Sequence, residues 1–154
     1  NGFEYNPPKQ HPFNPLAALR LSLKPVSGAD QHKVISALFE AGWSRGADLG
    51  DLPTLIDLLV EQSIDGETLS GKIADPKVKD ALVNETNMAI EKGVFGVPTI
   101  IIDDNLFWGN DQIEHVALLL SGQDPLDREK FTALQNRPRA IDRRAFQEQG
   151  VDGT

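Results

Sequence analysis

The chain has 154 residues, 40% of them hydrophobic, with a formal net charge of −8 and no cysteine. That length suits one compact domain with a real core. The acidic balance argues against a nucleic-acid partner, which needs Lys and Arg gathered on one face, and the lack of thiols excludes disulfides, thiolate metal sites and a protein-borne thiol nucleophile within the sequence. Any thiol chemistry must therefore arrive with a ligand. No apolar run approaches the roughly 20 residues that cross a bilayer, and no motif for peripheral membrane attachment is present.

The first residues, Asn1 to Lys9, carry neither an initiator Met nor the basic-then-apolar pattern of a signal peptide, and read as a start in mid-protein. Residues 1–13 hold three prolines and no periodicity, which predicts an extended lead-in. A first helix is predicted from Asn14-Pro15, an N-cap followed by proline at the first helical position, with Leu16, Ala18, Leu19 and Leu23 as its apolar stripe. A second is predicted from Asp30 to Arg45, where Val34, Ile35, Leu38, Phe39 and Trp43 recur at helical spacing and Gly46 stops the run. Asp51-Leu52-Pro53 caps a third helix containing Leu55, Ile56, Leu59 and Val60, and Asp65 to Ile73 form a short fourth. Asp75-Pro76 opens a fifth, longer helix with Val78, Leu82, Thr86, Ala89 and Ile90 on one side and Lys92-Gly93 at its end.

Strand signals begin only after this helical block. Pro98 opens an apolar run instead of interrupting it, which is where a strand tolerates a residue without a backbone donor. Val97 is extended, because proline disfavours helix just before itself. If the Val97-Pro98 bond is cis, the Val97 amide and carbonyl are left open at a sheet edge, and a peptide-like ligand can pair with them. Thr99 to Ile102 and Leu106 to Trp108 are then two strands joined by the turn residues Asp103-Asp104-Asn105. A last amphipathic helix uses Ile113, Val116, Leu119 and Leu120 and stops at Gly122. From Gln123 to Thr154 the chain is polar, with five arginines and little periodicity.

Two strands do not make an independently stable sheet. A hairpin and one helix after five helices thus imply parallel strands elsewhere, and we expect them upstream of Asn1. The expected organisation is an all-helical domain over 1–92, the C-terminal half of a sheet domain over 93–122, and a polar tail over 123–154.

Four segments resemble one family: His11-Pro12-Phe13-Asn14-Pro15-Leu16-Ala17-Ala18-Leu19-Arg20-Leu21; Ala37-Leu38-Phe39 with Trp43; Gly93-Val94-Phe95-Gly96-Val97-Pro98-Thr99; and Leu106-Phe107-Trp108-Gly109-Asn110-Asp111. The family contains 2-hydroxychromene-2-carboxylate isomerase and the kappa-class glutathione transferases, a branch of the DsbA-like proteins. The resemblance covers residues 10–126, and the third and fourth segments are the specific ones. It implies an α/β, thioredoxin-like fold with an inserted all-helical domain, whose N-terminal β-α-β unit is not in the sequence shown. It also implies a glutathione cofactor and a cytoplasmic, homodimeric enzyme acting on small aromatic or conjugated carbonyl compounds. The reaction would be cis-trans isomerisation through a glutathione thiolate adduct, or transfer of the thiol to an electrophile.

The family's catalytic serine follows the first strand, and no residue here matches it. Ser22, Ser27, Ser36, Ser44, Ser63, Ser70 and Ser121 fall in predicted helices or their connections, so no catalytic residue is assigned. The glutathione cradle does carry over. Val97, presented by Pro98, would bond the cysteinyl backbone. Gly109, Asn110 and Asp111 stand at a helix start, where free N–H groups and the positive dipole end favour a carboxylate. Asp111 would meet the α-ammonium of the γ-glutamyl group, and Trp108 would wall that end. By resemblance, Asn14 and the prolines beside it are candidates for touching the second substrate.

Two other functions remain open: a DsbA-like thiol-disulfide oxidoreductase whose Cys-x-x-Cys lies upstream, and a non-catalytic fragment or adaptor. The sequence motif Phe107-Trp108-Gly109-Asn110-Asp111 favours the isomerase and transferase side. His11, His32 and His115 show no metal-like spacing with a third ligand, and structural or solvated roles suit them. Asp103 and Asp104 suit a two-residue turn better than a carboxylate cluster with Asp111. Leu38, Phe39 and Trp43 read as helix-packing core. Arg137, Arg139, Arg143 and Arg144, interleaved with Pro138 and Asp142, read as a solvated tail or as an arm lying over an acidic neighbour.

Overall fold

The computed structural model describes residues 4–137. Pro138, Arg139, Asp142, Arg143 and Arg144 lie outside the described residues. The chain divides into two compact units, the first ending at Phe95 and the second beginning at Gly96.

The first unit is helical. It contains α1 (Leu16–Leu21), α2 (Lys24–Ser27), α3 (Gln31–Trp43), α4 (Leu52–Glu61), α5 (Gly66–Lys72) and α6 (Pro76–Glu91), with a single 3₁₀ turn at Gly28–Asp30 between α2 and α3. The predicted first helix is shorter than its apolar stripe suggested. Continuing α1 would drive the Pro25 ring against the carbonyl of Leu21. Leu23 instead turns extended, with φ −70° and ψ 139°, and helix resumes at Lys24 with proline as its second residue. The Asn14 Oδ1 accepts a hydrogen bond from the Leu16 N–H at 3.1 Å, so this side chain does help to start α1.

The caps of α4 and α5 repeat one device. Asp51 accepts from the backbone N–H of Thr54 at 3.0 Å and from its hydroxyl at 2.7 Å. Asp65 does the same with Thr68, at 3.0 and 2.7 Å. Each carboxylate thus satisfies a helix donor that has no partner inside the helix. Their charged forms are favoured by these bonds, and both carboxyls lie below their ordinary range; for Asp51 the Thr54 hydroxyl is the leading cause, and for Asp65 the Thr68 N–H.

The core of this unit gathers Leu21, Val26, Val34, Leu38, Leu55, Leu59, Ile64 and Val78. A fully buried Leu or Val contributes about 1.5–3 kcal/mol by leaving water. Burial is narrower than the sequence periodicity. Val34, Leu38 and Ala41 are buried at i, i+4 and i+7 on α3, whereas Phe39 is 64% exposed. Phe39 is therefore not a core residue as expected: it stands 100° around the helix from Leu38, beyond the face that α4 covers. Val60 on α4 and Ile90 on α6 are exposed for the same reason. Trp43 is half-buried, with its ring parallel to that of Tyr5 and near His11, whose ring meets Phe13 edge-on.

The second unit is a hairpin with helices. β1 (Thr99–Ile102) pairs antiparallel with β2 (Asn105–Trp108), in the register Thr99 with Trp108 through Ile102 with Asn105. Asp103 and Asp104 form the two-residue turn, with φ of 45° and 65°. Positive φ at both positions matches the right-handed twist of the flanking strands. A 3₁₀ turn at Asn110–Gln112 leads into α7 (Ile113–Leu120).

A further helix, α8 (Arg128–Gln135), lies within the segment that the sequence marks as a polar tail of weak periodicity. Asp127 caps it by accepting from the Lys130 N–H at 3.0 Å, and the Lys130 ammonium lies 2.9 Å from the same carboxylate. It buries no residue, which is why no periodic apolar signal announced it. The Asp127 carboxyl lies below its usual range, chiefly through the Lys130 N–H. Among the described residues of the second unit, Val116 is the buried hydrophobic. No helix among the described residues is long and apolar enough to cross a membrane.

Candidate functional site

Residues 96–99 and 108–112 form one end of the hairpin. The Val97-Pro98 peptide is cis. Two hydrogen bonds shape the loop around it: the Thr99 hydroxyl donates to the Gly96 carbonyl at 2.6 Å, and the Gly109 N–H donates to the Pro98 carbonyl at 2.9 Å. The second bond sets the proline loop directly beside the Gly109–Asp111 turn. Val97 is 87% exposed, and among the described residues its amide and carbonyl make no hydrogen bond. A residue with both main-chain groups open beside a strand start can take an extended peptide ligand.

The two glycines of this end are used for closeness. A Cβ on Gly96 would stand 2.5 Å from the Trp108 Nε1, so the indole lies directly over the bare Cα. Gly109, at φ 103°, occupies a backbone region that side chains avoid, and a Cβ there would collide with the Asp111 Oδ1. The Asp111 carboxylate is thus folded back over Gly109. Its Oδ2 accepts from the Gln112 side-chain amide at 3.0 Å, and the Gln112 Oε1 lies 3.2 Å from His115 Nδ1.

Val97, Pro98, Trp108, Gly109, Asn110 and Asp111 are therefore brought together at one end of the hairpin, a cationic group being suited to Asp111 and a peptide edge to Val97. Asp103 and Asp104 lie at the opposite end. Three strand residues separate the two ends, roughly 10 Å at about 3.3 Å per residue, so these carboxylates form no cluster with Asp111. Among the described residues no group of His, Asp and Glu is arranged to hold a metal ion. Asn14 belongs to the first unit, where it lines an open depression of about 340 Å³ with Gln10, Phe13, Asp48 and Asp51. The sequence analysis missed Gln112 and gave His115 no partner. A side-chain bond between adjacent residues leaves no periodic trace, and only the polar spacing Asp-Gln-x-x-His hinted at it.

The matches to known proteins agree with this geometry. Residues 1–121 match the family model of the DSBA-like thioredoxin domain. The chain belongs to that family. It is 34% identical over 93 residues to the 2-hydroxychromene-2-carboxylate isomerase of Pseudomonas putida, covering 56% of this chain and 44% of the relative. Over 85 residues it is 31% identical to human glutathione S-transferase kappa 1, covering 51% of this chain and 38% of that protein. A solved structure of selenomethionine 2-hydroxychromene-2-carboxylate isomerase superimposes with a TM-score of 0.68 at 19% identity, over 79% of this chain and 59% of that one. The fold is thus the DsbA-like thioredoxin fold. The chain spans less than half the length of these sequence relatives.

Proposed function

We propose that this chain supplies the glutathione cradle and helical domain of a glutathione-dependent isomerase of the 2-hydroxychromene-2-carboxylate type, or of a kappa-class transferase. The observation that carries the reading is the main chain of Val97, unpaired among the described residues, next to a proline whose carbonyl is tied to the Gly109 N–H two residues before Asp111. The residues fit the tripeptide chemically. Val97 offers one donor and one acceptor to the cysteinyl backbone, Asp111 offers a counter-charge to the γ-glutamyl ammonium, and the first N–H groups of the Asn110–Gln112 turn would suit the adjoining carboxylate. Trp108 forms the wall of that end.

Bound glutathione supplies a sulfur nucleophile, which the 154 residues shown, having no cysteine, do not contain. The chain's own residues hold the peptide in register and keep its charged head against the helix start. Asn14 and the helical domain serve the second substrate, a small aromatic or conjugated carbonyl compound, and the working enzyme is a cytoplasmic homodimer. The similarity to enzymes named as isomerase and transferase supports this reading. Calorimetry with glutathione on the full chain and on Asp111→Ala tests it. A tenfold or greater loss of affinity is the expected result, in line with about 1.5–3 kcal/mol for a bond between charged groups. Equal affinities remove Asp111 from the site.

The family match itself supports a second reading, a thiol-disulfide oxidoreductase. The residue that follows the first strand of the whole protein separates the two: serine for the isomerase and transferase, a Cys-x-x-Cys pair for the oxidoreductase.

A further inference from the structure

The Asp111 carboxylate is held on two sides, and we infer that Gln112 is a positioning residue that sets its orientation toward the ligand ammonium, with His115 fixing Gln112 in turn. The inference rests on the glutathione reading of the site. Its basis is a directional chain. Gln112 Nε2 donates to Asp111 Oδ2 at 3.0 Å, while Gln112 Oε1 faces His115 Nδ1 at 3.2 Å. An Asp next to a Gln has two ways to meet its amide, and only one is attractive, because an amide oxygen turned toward a carboxylate repels it. In the tautomer whose proton sits on Nδ1, His115 donates to the amide oxygen and selects that arrangement. On the far side, Asp111 Oδ1 lies over the bare Cα of Gly109, which closes off rotation in that direction. Oδ1 is then the oxygen left to meet a cationic group, and Oδ2 is engaged within the protein.

The arrangement matters for selectivity. A carboxylate free to rotate on a surface spends much of its time turned away from a ligand, and ordering it upon binding costs side-chain entropy. Gln112 removes that cost before the ligand arrives. Gln112 is half-buried as a residue, whereas Asp111 is exposed.

The test compares two ligands on the full chain: glutathione, and its desamino analogue in which hydrogen replaces the γ-glutamyl ammonium. Gln112→Leu keeps the size of the side chain and removes the bond. It is expected to weaken glutathione fivefold to tenfold and to leave the desamino analogue within twofold. His115→Leu should act in the same direction, twofold to threefold, and only on glutathione. Equal losses for the two ligands mean that Gln112 is merely structural and overturn the inference. Unchanged glutathione binding in Gln112→Leu, with a clear loss in Asp111→Ala, overturns it while leaving the site intact. No loss in Asp111→Ala removes the glutathione reading itself, and the inference falls with it.

Discussion

Two glycines decide how close the functional groups of the hairpin end can come. Trp108 rests on Gly96 and Asp111 on Gly109, and neither neighbour leaves room for a methyl group. Gly96→Ala must push the indole aside. Overpacking of this kind costs about 1–3 kcal/mol, so the variant should lose stability and show a shifted Trp108 fluorescence in a Trp43→Phe background, where Trp108 is the reporting indole. An unshifted spectrum would mean that the loop gives way instead of the ring. At this scale the sequence was legible where chemistry is local. Asp103 and Asp104 sit in the turn that their residue types demand, and Asp51 and Asp65 cap the helices they precede. Phe39 was misread because a periodic stripe marks a direction on a helix, while the partners present decide how wide the buried face becomes.

Three helices end in the same loop geometry but not with the same residue. After α4, Ser63 N–H bonds the Val60 carbonyl at 2.8 Å and Ile64 N–H bonds Leu59 at 3.0 Å; α6 and α7 close identically at Gly93 and Gly122. The paired bonds define a Schellman end, whose turning residue takes positive φ. Ser63 takes φ 57° with a Cβ in place, a conformation costing roughly 1–2 kcal/mol outside glycine. Ser63→Gly should therefore raise the urea midpoint, by a net amount below about 1 kcal/mol once the looser unfolded chain is counted. The caps make a second prediction. Asp51 and Asp65 have folded pKa values below the unfolded value of 3.8, so the stability they lend is present above that pH and is lost as pH falls through the folded values. An Asp51→Asn/Asp65→Asn double variant should show a flatter decline of the urea midpoint with acidification, and a decline as steep as wild type would assign the acid loss to other carboxylates.

Across the molecule, burial is unevenly shared. Leu21, Leu55 and Leu59 are wholly enclosed in the first unit, whereas Ile100, Leu106, Ile113 and Leu120 in the second are each more than a third exposed. Leu55→Ala should cost about 2–5 kcal/mol, measured by denaturant unfolding, because a cavity is left among close-packed neighbours. A loss under about 1 kcal/mol would show that the helices collapse around the gap. Five of the first unit's six α-helices and the hairpin were readable because capping residues, proline positions and β-branched runs act within a few residues. The break at Leu23, the helix at 128–135 and the bond from the Gln112 amide to Asp111 were not, since each depends on a clash, a surface cap or a neighbour's amide that leaves no repeat in the sequence.

The turn at Asp103-Asp104 lies at the far tip of the same two-stranded arm whose base carries Val97 and Asp111. Asp104 at that tip also lines one cavity of about 620 Å³ with Gln112 and His115. Replacing the tip residues with ones that accept left-handed geometry more readily therefore stiffens the arm and at the same time rebuilds a wall that the base shares, so the two ends of the arm are not independent of one another.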